Sequence, residues 1–190
     1  IISGYTETIL NDEQMPQPMK IRFLKKIYSN ANKMSHIVDK LRLTLKLEEG
    51  KQELILIPCS MKKLIITCIS DLKDKYKNRE ILIQGDDITL KVDETLISMA
   101  ISNLIENALK YSEDEIIVNI SDNSITIIDK GIGIEEKELE KINQKFYRIS
   151  NNGWNNSLGL GLFIVQSVLS LHNFTLKIDS EFKNGSQFSI

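Results

Sequence analysis

The sequence predicts an α+β protein: a helical hairpin, then a two-layer α/β sandwich with helices over one face of a mixed sheet. The hairpin is signalled by Leu24, Ile27, Ala31, Met34, Val38, Leu41 and Leu45, apolar residues at alternating steps of three and four that form an unbroken heptad seam. The sandwich is signalled by a change of period after Glu48-Glu-Gly50 and by alternating apolar runs at 115–121, 124–129, 174–180 and 186–190. The change of period divides the chain into residues 1–49 and residues 51–190.

A chain of 190 residues suits one ordinary domain with a smaller helical element, and 42% hydrophobic against 26% charged residues is globular rather than disordered. The formal charge of −2 balances 24 basic against 26 acidic residues, with no like-charged block of the kind that binds DNA, RNA or a membrane surface. No nucleic-acid partner is expected. Cys59 and Cys68 lack CxxC spacing and lie in or beside apolar runs, which suits buried free thiols in a reducing compartment. No apolar stretch approaches the roughly 18 residues that span a bilayer, so a cytoplasmic location is expected, with any membrane contact made only through missing N-terminal regions. The start at Ile1, in mid-pattern, reads as a fragment of a longer protein.

In chain order, residues 1 to about 13 read as the end of a helix, with Ile2, Tyr5 and Ile9 on one side. Met15-Pro-Gln-Pro18 breaks it, because proline lacks the amide donor and disfavours helix in the residue before it. From Met19 to about Leu47 the second helix carries the heptad seam, and Phe23, Ile37 and Leu43 widen its apolar face beyond a two-stranded stripe. One hairpin cannot bury so wide a face. Either two chains pair as a four-helix bundle, the preferred reading, or the seam docks on the chain's own following domain. After Gly50, Leu54–Ile57 reads as a strand ended by Pro58, and Met61 to Tyr76 as an amphipathic helix capped by Ser60. Residues 80–84 and 89–92 read as short strands. Asp93 caps a helix from Glu94 to Tyr111, and Asp122-Asn123 turns the hairpin that joins the two central strands. Residues 135–142 read as a short acidic helix, 143–158 as an irregular Asn-rich loop, and Gly159 to about His172 as a helix. The last hairpin turns around Asn184-Gly185.

The chemistry centres on the helix 94–111. Asn103, Asn107, Lys110 and Tyr111 fall on one stripe beside the core stripe of Leu104, Ile105, Ala108 and Leu109. A polar stripe there is either a solvated face or a pair of carboxamides offering neutral oxygens to a hard cation, with Lys110 facing the phosphates it accompanies. Asp129-Lys-Gly-Ile-Gly-Ile134 follows an alternating run, and Gly159-Leu-Gly-Leu162 opens a helical one. A carboxylate at a strand end can accept from an exocyclic amine, while Gly131 and Gly133 let backbone approach a flat ring. Gly159 and Gly161 either serve helix packing or let amide groups at a helix start approach phosphate.

These three stretches, in this order and spacing, resemble the N, G1 and G2 boxes of the ATP-binding domain of bacterial sensor histidine kinases, and Phe146-Tyr147-Arg148 stands where that family has its F box. The resemblance covers almost the whole chain. It implies a Bergerat-type (GHKL ATPase) sandwich over 51–190 and a partial dimerisation and phosphotransfer hairpin over 1–49. It implies ATP and Mg²⁺ as cofactors, Asn107 as the metal ligand, and Asn103 as a second neighbour of metal or phosphates. Lys110 becomes a phosphate contact and Tyr111 lies at sugar or base. Asp129 reads the adenine amino group, flanked by Gly131, Gly133 and Ile134. Tyr147 and Arg148 lie in the lid, Arg148 meeting phosphate or the opposing hairpin, and Leu158, Gly159, Leu160, Gly161 and Leu162 line the phosphate loop. The implied catalytic set is Asn103, Asn107 and Lys110, with Glu106, pointing elsewhere on the helix, solvated or structural.

The glycine loop departs from the family pattern, with Ser157 in place of a glycine and Leu158 in place of a hydroxyl residue. A lost neutral hydrogen bond is worth roughly 0.5–1.5 kcal/mol, so a weaker γ-phosphate grip is expected rather than lost adenine binding. The resemblance places the acceptor histidine roughly two turns before Ile1, and His36 and His172 lack its context. It also implies a homodimer through the hairpin, a response-regulator receiver domain as partner, and a membrane-anchored parent protein. The alternatives are a non-catalytic ATP-binding or dimerisation module of the same fold, and another GHKL ATPase or serine kinase.

Overall fold

The computed structural model describes residues 1–50, 52–149 and 158–190. It separates into two compact units, Ile1–Glu49 and Gly50–Ile190. In the first, α1 (Ile2–Asn11) and α2 (Gln17–Glu48) form a helical hairpin. Pro16 and Pro18 sit at the N-cap and first turn of α2, where a missing amide donor is harmless. The rings of Tyr5 and Phe23 meet at 5.0 Å between centroids and bind the two helices near the turn. Ten residues of α1 reach about 15 Å along an α2 of about 48 Å, so most of the long helix has no neighbour in α1. Met34, Val38 and Leu45 of the heptad seam are accordingly 59%, 61% and 60% exposed.

The second unit begins with irregular backbone over 52–56. Its strands and helices are β1 (Ile57–Ser60), α3 (Met61–Lys73), β2 (Ile81–Gln84), β3 (Thr89–Val92), α4 (Glu94–Tyr111), β4 (Ile116–Ser121), β5 (Ser124–Asp129), α5 (Glu136–Leu139), α6 (Gly161–Leu171), β6 (Lys177–Glu181) and β7 (Gly185–Ser189). Five strands form a sheet in the order β2-β4-β5-β7-β6, parallel only between β2 and β4, and β1 pairs with β3 in a separate antiparallel ribbon. The sheet is therefore mixed, as expected. Helix α4 is the centre of the helical layer: α3 and α6 pack against it, and it packs on β4 and β5. Ile101, Leu104 and Ile105 of α4, Ile65 of α3 and Ile164 of α6 are fully buried over Ile116, Val118 and Ile127 of the sheet. Each such side chain contributes about 1.5–3 kcal/mol of burial, which fixes α4 in place.

Several expectations from the sequence are corrected. The strand expected at Leu54–Ile57 runs instead over Ile57–Ser60 and includes Pro58. β1 pairs on one side only, so a residue without an amide donor is accommodated there. The short strands expected at 80–84 and 89–92 are present as β2 and β3, and they enter different sheets. The acidic helix expected over 135–142 has only four residues, Glu136–Leu139. In the last hairpin the left-handed positions are Lys183 (φ 71°) and Gly185 (φ 101°) rather than Asn184. The loop calls on Ser150 to Ser157, including Trp154, lie outside the described residues.

The start of α4 is held by a clasp. Asp93 caps the helix by accepting from Leu96 N (3.1 Å) with Oδ1, and its Oδ2 accepts from Ile55 N (3.1 Å). The Asp93 amide donates to His172 Nε2 (3.0 Å), and His172 Nδ1–H donates to Val168 O (2.8 Å), which fixes the neutral tautomer. At the other end of α4, Arg79 donates to the carbonyls of Leu109 (3.0 Å), Ser112 (2.7 Å) and Asp114 (2.7 Å). Cys59 and Cys68 are free and buried, and burial, with Glu94 and Asp87 nearby, pushes the Cys59 thiol up. Among the described residues no helix is long and apolar enough to cross a membrane.

Candidate functional site

Both glycine loops converge on α4. The first follows β5. Asp129 is buried at the strand end, where its Oδ1 accepts from Gly131 N (2.8 Å), and Ile132 N donates to Tyr111 O (3.2 Å) at the last turn of α4. A Cβ on Gly131 would come within 2.2 Å of Tyr111 O and 2.8 Å of Asp129 Oδ1, so glycine is required by close approach. Gly133, at φ 62°, does something different: a Cβ there would stand 2.0 Å from Glu181 O, so this glycine seats the loop on the β6–β7 hairpin. Ile134 N is spent on Ser180 Oγ (2.9 Å), and Lys183 N donates to Ile132 O (2.7 Å).

The second loop leads into α6. A Cβ on Gly161 would lie 3.4 Å from Asn103 Oδ1, which puts the first turn of α6 against the middle of α4. Asn103 is buried, and its Nδ2 donates to Met99 O (2.8 Å). Asn107, one turn on, is only half-buried. Lys110 lies over the ring of its neighbour Tyr111, 5.0 Å from the centroid. Glu106 pairs with Lys75. Leu160 is 1% exposed, so only its backbone can meet a ligand, whereas Leu158 and Leu162 are half-buried. Gly159 (φ 68°) accepts at its carbonyl from Phe146 N (2.9 Å), fastening the loop to the root of the segment that carries Tyr147 and Arg148. The Tyr147 hydroxyl donates to Glu138 Oε2, and that bond, before burial, raises its pKa. Arg148 is exposed. Ser157 lies outside the described residues.

Burial pushes the Asp129 carboxyl above its ordinary range, only partly offset by the amide groups of Gly131 and Ser186 that bond it. The amides of Gly131 and Ser186 take two of the carboxylate's roughly four acceptor sites, which leaves acceptor capacity for a ligand. From Asn103 to Tyr111 is eight residues, about 12 Å along the helix, a span on the scale of a nucleotide from base to phosphate chain. Among the described residues no group of three or more His, Cys, Asp or Glu side chains is arranged to hold a metal. Asn107 offers a neutral side-chain oxygen that can join phosphate oxygens around a hard cation.

Sequence reasoning missed three residues. Ser186 stands opposite Asp129 in the β5–β7 register, and Ser180 stands opposite Ser186 in the β6–β7 register. Arg79 closes the end of α4. Only the non-local strand order would have revealed the two serines; nothing local marks Arg79.

Residues 92–190 match the family model described as "Histidine kinase-, DNA gyrase B-, and HSP90-like ATPase". The phosphate regulon sensor protein PhoR of Pseudomonas aeruginosa is 31% identical over 200 residues, covering 100% of this chain and 45% of that protein. The heme sensor protein HssS of Staphylococcus saprophyticus is 29% identical, over 89% of this chain and 38% of that protein. The chain thus spans about half the length of the curated relatives it matches, or less. Among solved structures, Acinetobacter baumannii histidine kinase AdeS superposes with TM-score 0.75 at 18% identity, covering 99% of this chain and 90% of that one. Full-length ShkA in complex with AMPPNP gives 0.77 at 19%, covering 95% and 40%. At these identities the structures speak for the fold.

Proposed function

The chain belongs to the histidine kinase-, DNA gyrase B- and HSP90-like ATPase family, and on that footing we propose that residues 51–190 bind ATP with Mg²⁺ as the catalytic part of a sensor histidine kinase. The observation that carries this reading is the convergence of both glycine loops on one helix: Gly131 at Tyr111, Gly161 at Asn103. In this reading Asp129 accepts from the adenine amino group, and Gly131 gives the ring room. Tyr111 borders the sugar or base, and Lys110 meets phosphate. The backbone from Leu158 to Leu162 faces the phosphate chain, with Tyr147 and Arg148 in the covering segment. Asn107 is the metal ligand and Asn103 holds it in place from the buried side. When bound, Mg²⁺ neutralises phosphate charge; the work of the protein's own groups is positioning and water exclusion.

Residues 1–49 serve as part of a dimerisation hairpin. The exposure of Met34, Val38 and Leu45 supports pairing with a second copy as a four-helix bundle. In the parent protein the γ-phosphoryl group goes to a histidine outside these residues, then to an aspartate on a response-regulator receiver domain. His172 is unsuited as acceptor, being buried with both ring nitrogens bonded. In this reading the chain holds a cytoplasmic position within a membrane-anchored parent.

Calorimetric titration with Mg²⁺ and a non-hydrolysable ATP analogue, beside ADP, tests the pocket. Binding by the unmodified chain and loss in Asp129→Asn are expected. No binding by the unmodified chain overturns the reading and favours a non-catalytic module with the altered loop at Leu158. In a longer chain carrying the acceptor, phosphate stable to base and labile to acid is expected; acid-stable phosphoserine overturns the histidine assignment.

A further inference from the structure

Asp129, Ser186 and Ser180 form a row across three strands, since Asp129 pairs with Ser186 and Ser186 with Ser180 in adjacent registers. Directly paired residues share a face of the sheet, so the three side chains lie side by side. Ser180 Oγ donates its proton to Gly185 O (2.9 Å), accepts from Ile134 N (2.9 Å) and lies 3.0 Å from Ser186 Oγ. A hydroxyl has one proton and two lone pairs, and these three bonds use them all. With the Ser180 proton on Gly185 O, the bond between the serines can only be donated by Ser186. The proton of Ser186 then points along the row away from Asp129, and its remaining lone pair is what it presents on the Asp129 side.

From this we propose that Ser180 is the positioning residue of the base-reading site, an inference that rests on the nucleotide assignment above. It holds the end of the loop 130–134 through Ile134 N, and it sets the polarity of Ser186. The site next to Asp129 then offers acceptors only. Such an edge suits a base carrying an exocyclic amine and disfavours one carrying a carbonyl at that position. Ser180 itself touches no ligand and acts through Ser186 and Ile134.

The test uses the 190-residue chain as unmodified protein, Ser180→Ala and Ser180→Thr, titrated with ADP, GDP and inorganic tripolyphosphate in the presence of Mg²⁺. Ser180→Ala is expected to weaken ADP binding about tenfold, the scale of one or two lost hydrogen bonds, and to narrow the preference for ADP over GDP. Tripolyphosphate binding, which needs no base site, should stay within about threefold, which also reports that the variant is folded. Ser180→Thr keeps the hydroxyl on a strand that favours β-branching and should restore the preference. Amide exchange at Ile134, read without nucleotide, should quicken in the alanine variant and not in the threonine variant. Equal weakening of ADP and tripolyphosphate, or an unchanged ADP-to-GDP ratio, overturns the proposal. An unmodified chain that binds tripolyphosphate but neither nucleotide overturns the nucleotide assignment itself, a result separate from any effect of Ser180.

Discussion

Replacing Gly131 by alanine tests the geometry of the site at one atom. The added Cβ would stand 2.2 Å from Tyr111 O and 2.8 Å from Asp129 Oδ1, and neither neighbour is the free end of a flexible chain. The loop must lift from α4, and the bond that suffers is Gly131 N to Asp129 Oδ1 at 2.8 Å. A hydrogen bond to a charged group is worth about 1.5–3 kcal/mol. At about 1.4 kcal/mol per tenfold, adenine-nucleotide affinity should fall about 10- to 150-fold. The core under α4 is untouched, so fold stability should change by no more than the about 1–3 kcal/mol typical of an added methyl in a packed site. Calorimetric titration with ADP, alongside tripolyphosphate and a urea unfolding curve, separates the two. An ADP affinity within about threefold of the unmodified chain, in a folded variant, would refute the claim that this loop's seat on Tyr111 shapes the base site.

Other substitutions test neighbouring claims. Arg79→Met removes donors to three carbonyls, two of them part-buried, and should cost roughly 3 kcal/mol in a urea unfolding curve, with Arg79→Lys recovering part of it. The Asp129 carboxyl, raised by burial above its ordinary 3.8, binds more protons folded than unfolded between those two values, so its contribution makes stability fall as pH rises through that window. Asp129→Asn should abolish this part of the pH dependence. Adenosine affinity should weaken on acidification from a higher pH than an ordinary aspartate would cause. Urea curves and titrations from about pH 7 down to about pH 4 check both. Val38→Glu with Leu45→Glu places charge on the exposed seam and should give a monomer in analytical ultracentrifugation, with ADP affinity within about threefold of the unmodified chain.

Where a boundary is set by neighbours in sequence, it could be read in advance. Asp93 and the three-and-four spacing of Leu96, Ile97, Ala100 and Leu104 delimit α4 as expected, and Ser60 caps α3 through Lys63 N. Where a boundary is set by a partner far away, it could not. Leu54–Ile57 has the composition of a strand, but the ribbon forms three residues later, where Thr89–Val92 offers a ladder and Pro58 can sit on the open side. The acidic run 135–142 has little apolar face to bury, and its helix stops after one turn. The same division holds at the site. Asn107, Asp129 and the glycines stand in local patterns, whereas Ser180 and Ser186 acquire their place only when β7 inserts between β5 and β6. The two loop glycines looked alike in sequence, yet Gly131 is shaped by α4 and Gly133 by the β6–β7 hairpin.

The bond from Ile55 N to Asp93 Oδ2 has a mechanical meaning. Past Gly50, the first described side chain outside the connector to grip its backbone through a hydrogen bond is the cap of the helix bearing Asn103 and Asn107, ahead of any strand pairing. Residues 52–56, the root of α4 and the C-cap of α6 thus share one hydrogen-bonded anchor, Asp93.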